Sequence, residues 1–245
     1  MNRREISSEH VAGLSSVDHG DYWWYAVRQG HVLASLRRRM GQQPVDHLDL
    51  GCGAGGVMAA LGKAIVPRSQ FGLDGTEEAV EIAKARGLDA EYADFRQPLT
   101  LPFVPNLVTC LDVLEHLEDP VLALRNLGAS VTKEALLVVT VPAMPSLHSA
   151  WDDLCGHYRR YTRKTITEHL HEGGFEPLRI RYAFSYCVPP AWWQRRVTKT
   201  VQEVEFPEVS PLLNRLLTWA GTGERALSCP MPFGTTLVAE ARPKG

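Results

Sequence analysis

The residues with chemistry to offer fall into two groups. The first is His47-Leu48-Asp49-Leu50-Gly51-Cys52-Gly53-Ala54-Gly55-Gly56, an apolar strand running into a glycine turn where a helix begins. Glycine accepts positive φ and lets backbone N–H groups approach a ligand closely. Two more acids follow at the ends of later apolar runs, Asp74 after Phe71-Gly72-Leu73 and Asp94 just ahead of Phe95. The second group carries imidazoles. His116 follows the run that ends at Leu111, and His157 sits in Trp151-Asp152-Asp153-Leu154-Cys155-Gly156-His157-Tyr158-Arg159-Arg160-Tyr161-Thr162. An imidazole titrates near neutrality, and a neighbouring carboxylate can orient it, which is the pairing proton transfer needs.

Gly51, Gly53 and Gly56 satisfy the GxGxxG spacing, so a nicotinamide dinucleotide has to be weighed. Asp49 argues against it, because a carboxylate two residues ahead of the first glycine would repel a pyrophosphate. Adenosylmethionine has no phosphate; it carries a sulfonium and an ammonium, both of which a carboxylate favours. Asp74 falls where a doubly wound fold places the acid that accepts both ribose hydroxyls. Asp94 could accept from an adenine amino group while Phe95 packs on the ring. Singly, each has a plain structural use: the glycines as a turn, Asp74 as a helix cap, Asp94 as a turn residue. The succession of three acids after three strands is what points to a nucleoside.

These residues need a scaffold that brings strand ends together. From Val45 to Val141, apolar runs (Val45–Leu50, Ser69–Leu73, Ala90–Tyr92, Asn106–Leu111, Ala135–Val141) alternate with helical patterns (Gly55–Ala64, Glu77–Ala85, Pro120–Ser130), the signature of βαβ units on a parallel sheet. Right-handed crossovers put the loops after each strand along one sheet edge. Ahead of this core, His31–Met40 predicts a helix preceded by the aromatic segment Tyr22-Trp23-Trp24-Tyr25; behind it come a helix over Ile166–Glu172 and strands over Pro177–Phe184 and Thr235–Ala241. The last two form a hairpin interrupted by a long insertion. The expected organisation is one α/β, Rossmann-like domain over residues 1–245: an N-terminal helical cap (1–44), a nucleotide-binding core (45–184), an insertion or lid (185–232) and a final strand (233–241).

At this point the chain resembles the class I methyltransferases that use S-adenosylmethionine. Asp49-Leu50-Gly51-Cys52-Gly53-Ala54-Gly55 is similar to that family's first motif, Leu73-Asp74 to its second and Ala93-Asp94-Phe95 to its third. Leu111-Asp112-Val113-Leu114-Glu115-His116-Leu117-Glu118-Asp119-Pro120 is similar to the segment after the fourth strand in ubiquinone-biosynthesis O-methyltransferases, and the HYRRYT segment to one in bacterial small-molecule methyltransferases. The resemblance implies a doubly wound, seven-stranded sheet with its last strand antiparallel. It implies that Asp49, Gly51, Gly53, Gly55, Asp74, Asp94, Phe95 and Leu111 line the donor, S-adenosyl-L-homocysteine being the product. Trp24, Tyr25 and Arg28 are placed to close over the donor, Arg28 pairing with its carboxylate; alternatively the aromatics simply pack the first helix on the sheet.

On the acceptor side, His157 is the expected general base, with Asp153 to orient it, and His116 is second in line. The tract Arg159–Arg163 could contact an anionic acceptor or form a solvated rim. The expected acceptor is a small polar metabolite offering a hydroxyl or amine, with a lean towards sugars or aminosugar-containing natural products of secondary metabolism. A formal charge of -2 and a mean hydropathy of -0.16 supply no field for nucleic acid or an anionic membrane. With no long apolar run, a cytoplasmic protein without membrane insertion is expected. Five scattered cysteines read as free thiols. No HxxxH or CxxC spacing suggests a metal, although Asp112, Asp152 and Asp153 could gather a divalent cation. The insertion, with Trp192-Trp193 and Arg195-Arg196, could cover the acceptor or make a homodimer contact. The competing readings are a nicotinamide-dependent oxidoreductase and a non-catalytic adenosylmethionine-binding protein.

Overall fold

The computed structural model describes residues 22–194, 209–227 and 231–244. Helix α1 spans Trp23–Arg39, followed by β1 Asp46–Leu50, α2 Gly56–Ile65, β2 Ser69–Asp74, α3 Glu77–Ala85, β3 Ala90–Tyr92 and β4 Leu107–Leu111. Then come α4 Pro120–Gly128, β5 Leu136–Pro142, α5 Ala150–Leu154, α6 Arg163–Glu172, β6 Phe175–Ala183, α7 Val188–Trp193, α8 Pro211–Ala226 and β7 Thr236–Pro243. The seven strands form one sheet in the order β3-β2-β1-β4-β5-β7-β6, with β7 antiparallel to both its neighbours and every other pair parallel. The chain reverses its direction of travel across the sheet between β1 and β4, which opens a crevice at their carboxyl ends. Every strand anticipated from the apolar runs is present, and the last is antiparallel as expected.

The central strands are buried on both faces, and alternate residues separate two cores. Leu48, Leu50, Val108 and Cys110 face Leu124 and Leu127 of α4 and Ile166 and Leu170 of α6. Leu107, Leu111 and Val138 face Val27, Val32 and Leu36 of α1 and Val57 and Leu61 of α2. Polar His47, Asp49 and Thr109 share this second face and are fully buried. Cys52, Cys110 and Cys155 are buried free thiols and Cys187 is partly buried; Cys229 lies outside the described residues.

Several boundaries differ from expectation by a few residues, and two of them have a clear physical cause. The aromatic segment ahead of His31 is not a lead-in but the first turn of α1, which runs unbroken past Gly30. A Cβ on Gly30 would stand 1.8 Å from the Arg225 guanidinium of α8, and one on Gly221 of α8 would stand 2.5 Å from Val27. The two helices therefore approach closely at glycines, and that burial carries the helix across residues of indifferent propensity. Glu240 of β7 fastens the same helix from the sheet side, accepting from Ser35 Oγ at 2.9 Å, Arg39 Nε at 2.9 Å and Arg38. Helix α6 starts three residues earlier than the apolar pattern indicates, because the Thr162 hydroxyl caps it, accepting from Thr165 N–H at 3.1 Å. The insertion is thus partly the helix that packs on α1; Arg195 and Arg196 lie outside the described residues.

The α1–α8 contact is tested by two glycines two residues apart. Gly221→Ala should lower stability in urea unfolding by about 1–3 kcal/mol through overpacking against Val27 and Tyr186. Gly223→Ala, where an added Cβ meets no atom within 4 Å, should be neutral or gain up to about 1 kcal/mol. Equal effects at both positions would mean that the helices do not pack this way.

Candidate functional site

The turn after β1 is held by backbone. Gly51 and Cys52 N–H donate to Leu73 O at 2.7 and 3.0 Å, and Gly51, Gly53 and Gly55 all have positive φ, at 79°, 54° and 81°. At Gly51 the requirement is double, since a Cβ would also stand 2.2 Å from Val113 in the loop after β4. At Gly53 a Cβ would meet nothing within 4 Å, so this turn opens onto free space. Gly53 N–H donates to Asp74 Oδ2 at 2.8 Å and Thr76 N–H to Asp74 Oδ1 at 2.9 Å. Each carboxylate oxygen keeps lone-pair capacity for a further donor.

Beneath the turn lies a buried polar chain. Gln70 Nε2 donates to His47 Nδ1 at 3.0 Å, His47 Nε2–H donates to Thr109 Oγ1 at 2.7 Å, and the Thr109 hydroxyl donates to Asp49 Oδ1 at 2.6 Å. The direction follows from Gln70, whose amide nitrogen can only donate, so that His47 must be the Nε2–H tautomer. Burial lowers the His47 pKa to about 3 and keeps the ring neutral. Asp49 is 1% exposed and its Oδ2 has no hydrogen-bond partner. Burial raises the Asp49 pKa to about 7, with the Thr109 hydrogen bond and the nearby Arg28 charge pulling the other way.

Arg28 comes from α1, its guanidinium 4.5 Å from the Trp24 ring centre and 5.2 Å from that of Tyr25. Its NH1 donates to Asp112 Oδ2 at 2.6 Å. Asp112, at the end of β4, has φ 58°, an unfavourable backbone for a residue with a Cβ. Met144 and Phe184, just past the ends of β5 and β6, are likewise at φ 60° and 59°. Backbone strain thus collects along the carboxyl edge of the sheet, as at sites where geometry is over-determined. Asp94 is chelated by Arg96 Nε and NH2 at 2.8 and 2.7 Å, a partner two residues on that the motif reading did not include. Phe95 and Leu111 both lie in the hydrophobic cores.

The two imidazoles come together: the rings of His116 and His157 meet edge to face with centres 4.7 Å apart, and Trp151 stands 5.9 Å from His157. The carboxylate on His157 is Asp152, not the expected Asp153: His157 Nδ1 lies 3.1 Å from Asp152 Oδ1, whereas Asp153 is exposed. The short helix α5 decides this, because Asp152 faces inward in its first turn and accepts from Ser149 N–H at 3.0 Å. Arg160 Nε also donates to Asp152, at 2.6 Å. The basic tract is engaged by the protein itself: Arg159 NH2 donates to Glu118 O at 2.8 Å, and Arg163 NH2 to Met231 O at 3.2 Å. Fully buried Tyr161 donates to Leu114 O at 3.2 Å, tying this segment to the loop after β4.

His47, Thr109 and Glu115, to which the motifs gave no role, and Asp112 and Asp152, which the sequence offered only as cation ligands, thus complete the site. The strand His47-Leu48-Asp49-Leu50 carried a signal for one of them, since its alternation puts both polar residues on one buried face.

The raised Asp49 carboxyl has a consequence for stability. A folded-state pKa above the unfolded one stabilises the protein below the unfolded carboxylate range, and that stability is lost as pH rises through about 7. Asp49→Asn abolishes the loss of about 2–3 kcal/mol, so its melting temperature relative to the parent should climb by roughly 5–10 °C between about pH 5 and about pH 8, at ~2–4 °C per kcal/mol. A difference that does not change with pH would show that Asp49 is ionised throughout.

Comparisons with known proteins agree with this geometry. A family model described as a methyltransferase domain matches residues 23–180. A protein of transposon Tn4556 from Streptomyces fradiae is 31% identical over 166 residues, 64% of this chain and 47% of its own. A ubiquinone biosynthesis O-methyltransferase from Actinobacillus pleuropneumoniae is 27% identical over 135 residues, 47% of this chain and 57% of its own, so the chain spans about half the length of these curated relatives. In fold alone, it is similar to the methyltransferase solved in complex with the Haloferax volcanii Trm112 activator, with a TM-score of 0.63 at 18% identity over 98% of this chain and 100% of that one. A glycine turn between acid-ended strands, on a sheet closed by an antiparallel seventh strand and matched over residues 23–180, places this chain in the methyltransferase-domain family, whose donor is S-adenosylmethionine.

Proposed function

We propose that the protein transfers a methyl group from S-adenosylmethionine to a hydroxyl or amine of a small polar metabolite, with sugars and aminosugar-containing natural products the first class to examine. The observation that carries the donor assignment is Asp49, a buried carboxylate with one oxygen unpartnered, beside a glycine turn open to free space. A cationic ligand offsets such a charge, while a pyrophosphate would add to it. Bound adenosylmethionine supplies an electrophilic methyl group on a sulfonium.

The chain's own residues then hold and orient. Asp74 receives the ribose hydroxyls on the lone pairs that Gly53 and Thr76 leave over. Arg28, stacked on Trp24, faces the donor carboxylate with its buried, unpartnered Nε. Asp94, with Arg96, and Phe95 border the adenine, and Leu111 the methionine part. Across the crevice His157, its Nδ1 held by Asp152, takes the acceptor's proton at Nε2, with His116 against its face. An acceptor aligned in this way reacts by in-line displacement. Trp192 and Trp193 of α7 and Leu212, Leu216 and Trp219 of α8 are exposed, and are the surface on which a cover for the acceptor or a homodimer contact would be built. No described helix is long and apolar enough to cross a membrane; a cytoplasmic site of action is part of the proposal.

Calorimetric titration with adenosylmethionine, adenosylhomocysteine and NADH tests the donor. The two sulfur ligands should bind and NADH should not; NADH binding alone would overturn the reading. Asp74→Ala should weaken donor binding by about 1–3 kcal/mol, the loss of a buried hydrogen-bond partner. Hydroxylated and amino sugars are the first acceptors to screen.

A further inference from the structure

We propose that Glu115, His116 and His157 form a binding site for a divalent transition-metal ion of the zinc type. One ligand atom from each lies within 4.8 Å of the other two, and among the described residues no other cluster of this kind occurs. The Asp112, Asp152 and Asp153 set considered from the sequence is not the one assembled, since Arg28 engages the first, Arg160 and His157 engage the second, and the third is exposed.

The charge balance around Glu115 argues for a cation. Its side chain is 1% exposed, and Oε2 has no hydrogen-bond partner. The groups facing it are already matched in pairs, Asp112 with Arg28 at 2.6 Å and Asp152 with Arg160 at 2.6 Å. Among the described residues Glu115 is left as a buried acid with no basic side chain paired to it. A buried carboxylate in that position is offset by a bound metal ion far better than by water it cannot reach.

The surroundings are those of a supported ligand set. Asp152 Oδ1 lies 3.1 Å from His157 Nδ1, and a carboxylate on one ring nitrogen is the arrangement that orients a metal-binding imidazole. Glu115 and His116 are consecutive in the 3₁₀ turn Leu114–His116, and the facing segment is tied to it by Tyr158 N–H to Glu115 O at 2.8 Å and by Tyr161 to Leu114 O at 3.2 Å. Ligand atoms on one tetrahedral ion stand roughly 3.3 Å apart, so rotation of these side chains by about an ångström or so closes the set. Two imidazoles and one carboxylate leave a fourth position open.

The binding of the ion stands independently; its role rests on the function proposed above. An ion there would make an acceptor hydroxyl in the open position more acidic.

The test uses the full chain after chelator treatment, titrated with Zn²⁺ and, separately, with Co²⁺ followed by its visible absorption. One equivalent should bind, with cobalt bands characteristic of nitrogen and oxygen ligands at low coordination number. Glu115→Gln, His116→Gln and His157→Gln should each weaken binding at least 10-fold; Asp152→Asn should weaken it about 10–100-fold with the stoichiometry kept. Asp153→Asn should leave it unchanged. No binding by the parent chain, or undiminished binding in the ligand variants that still melt cooperatively, overturns the site; three ligand positions keep the test open should one variant fail to fold. Adenosylhomocysteine titration of the same samples separates the two proposals. Metal binding without nucleoside binding sinks the function and keeps the site, and the reverse sinks the site alone.

Discussion

The constraint on which the rest of this structure depends is a carboxylate placed inside a parallel strand. Asp49 sits in β1, between β2 and β4, where water cannot reach it. A charge there is tolerable only if its surroundings are polar on one side and wait for a cation on the other. The Gln70–His47–Thr109 chain provides the first condition. It draws one residue from each of three adjacent strands, so the in-register pairing of His47 with Gln70, and of Asp49 with Thr109, is what allows it to form. The second condition is the glycine turn directly above, whose φ angles and open face no other residue type would leave in place.

Around that carboxylate the two halves of the site are built differently. The half proposed to hold the donor is local: Asp49, the turn and Asp74 belong to one βαβ unit and are joined by backbone hydrogen bonds from Gly51, Cys52 and Gly53. The half proposed to face the acceptor is assembled from distant segments. The loop after β4 and the segment after β5 are bridged by Tyr158, Arg159 and Tyr161, and those bridges bring His116 onto His157. Strained residues at the ends of β4, β5 and β6 border this half, where the chain must leave the sheet at angles that helical or extended backbone does not supply. Arg28 links the halves, approaching Asp112 from a helix held in place by the insertion and by Glu240.

The elements of the sheet were legible because buried parallel strands and amphipathic helices leave their periods in the chain, and Glu77–Ala85 and Ala90–Tyr92 end where the pattern ends. Two features were not. The aromatic start of α1 has no helical signature of its own, because what holds it is α8, nearly 200 residues away in the chain. The basic tract Arg159–Arg163 resembled a surface for anions, yet its guanidinium groups are taken up by carbonyls and a carboxylate of the same chain.

By itself, the sequence determined the sheet, its glycine turn and the succession of acids at three strand ends, since each depends on residues close together in the chain and on periods of two or 3.6. Only the tertiary structure decided which carboxylate holds His157, that His47 and Thr109 support Asp49, and that Glu115 joins two histidines. These are pairings across strands or between loops, set by which side chains the packing turns inward. A one-residue step around the short helix α5 separates buried Asp152 from exposed Asp153, and no local pattern distinguishes two adjacent aspartates.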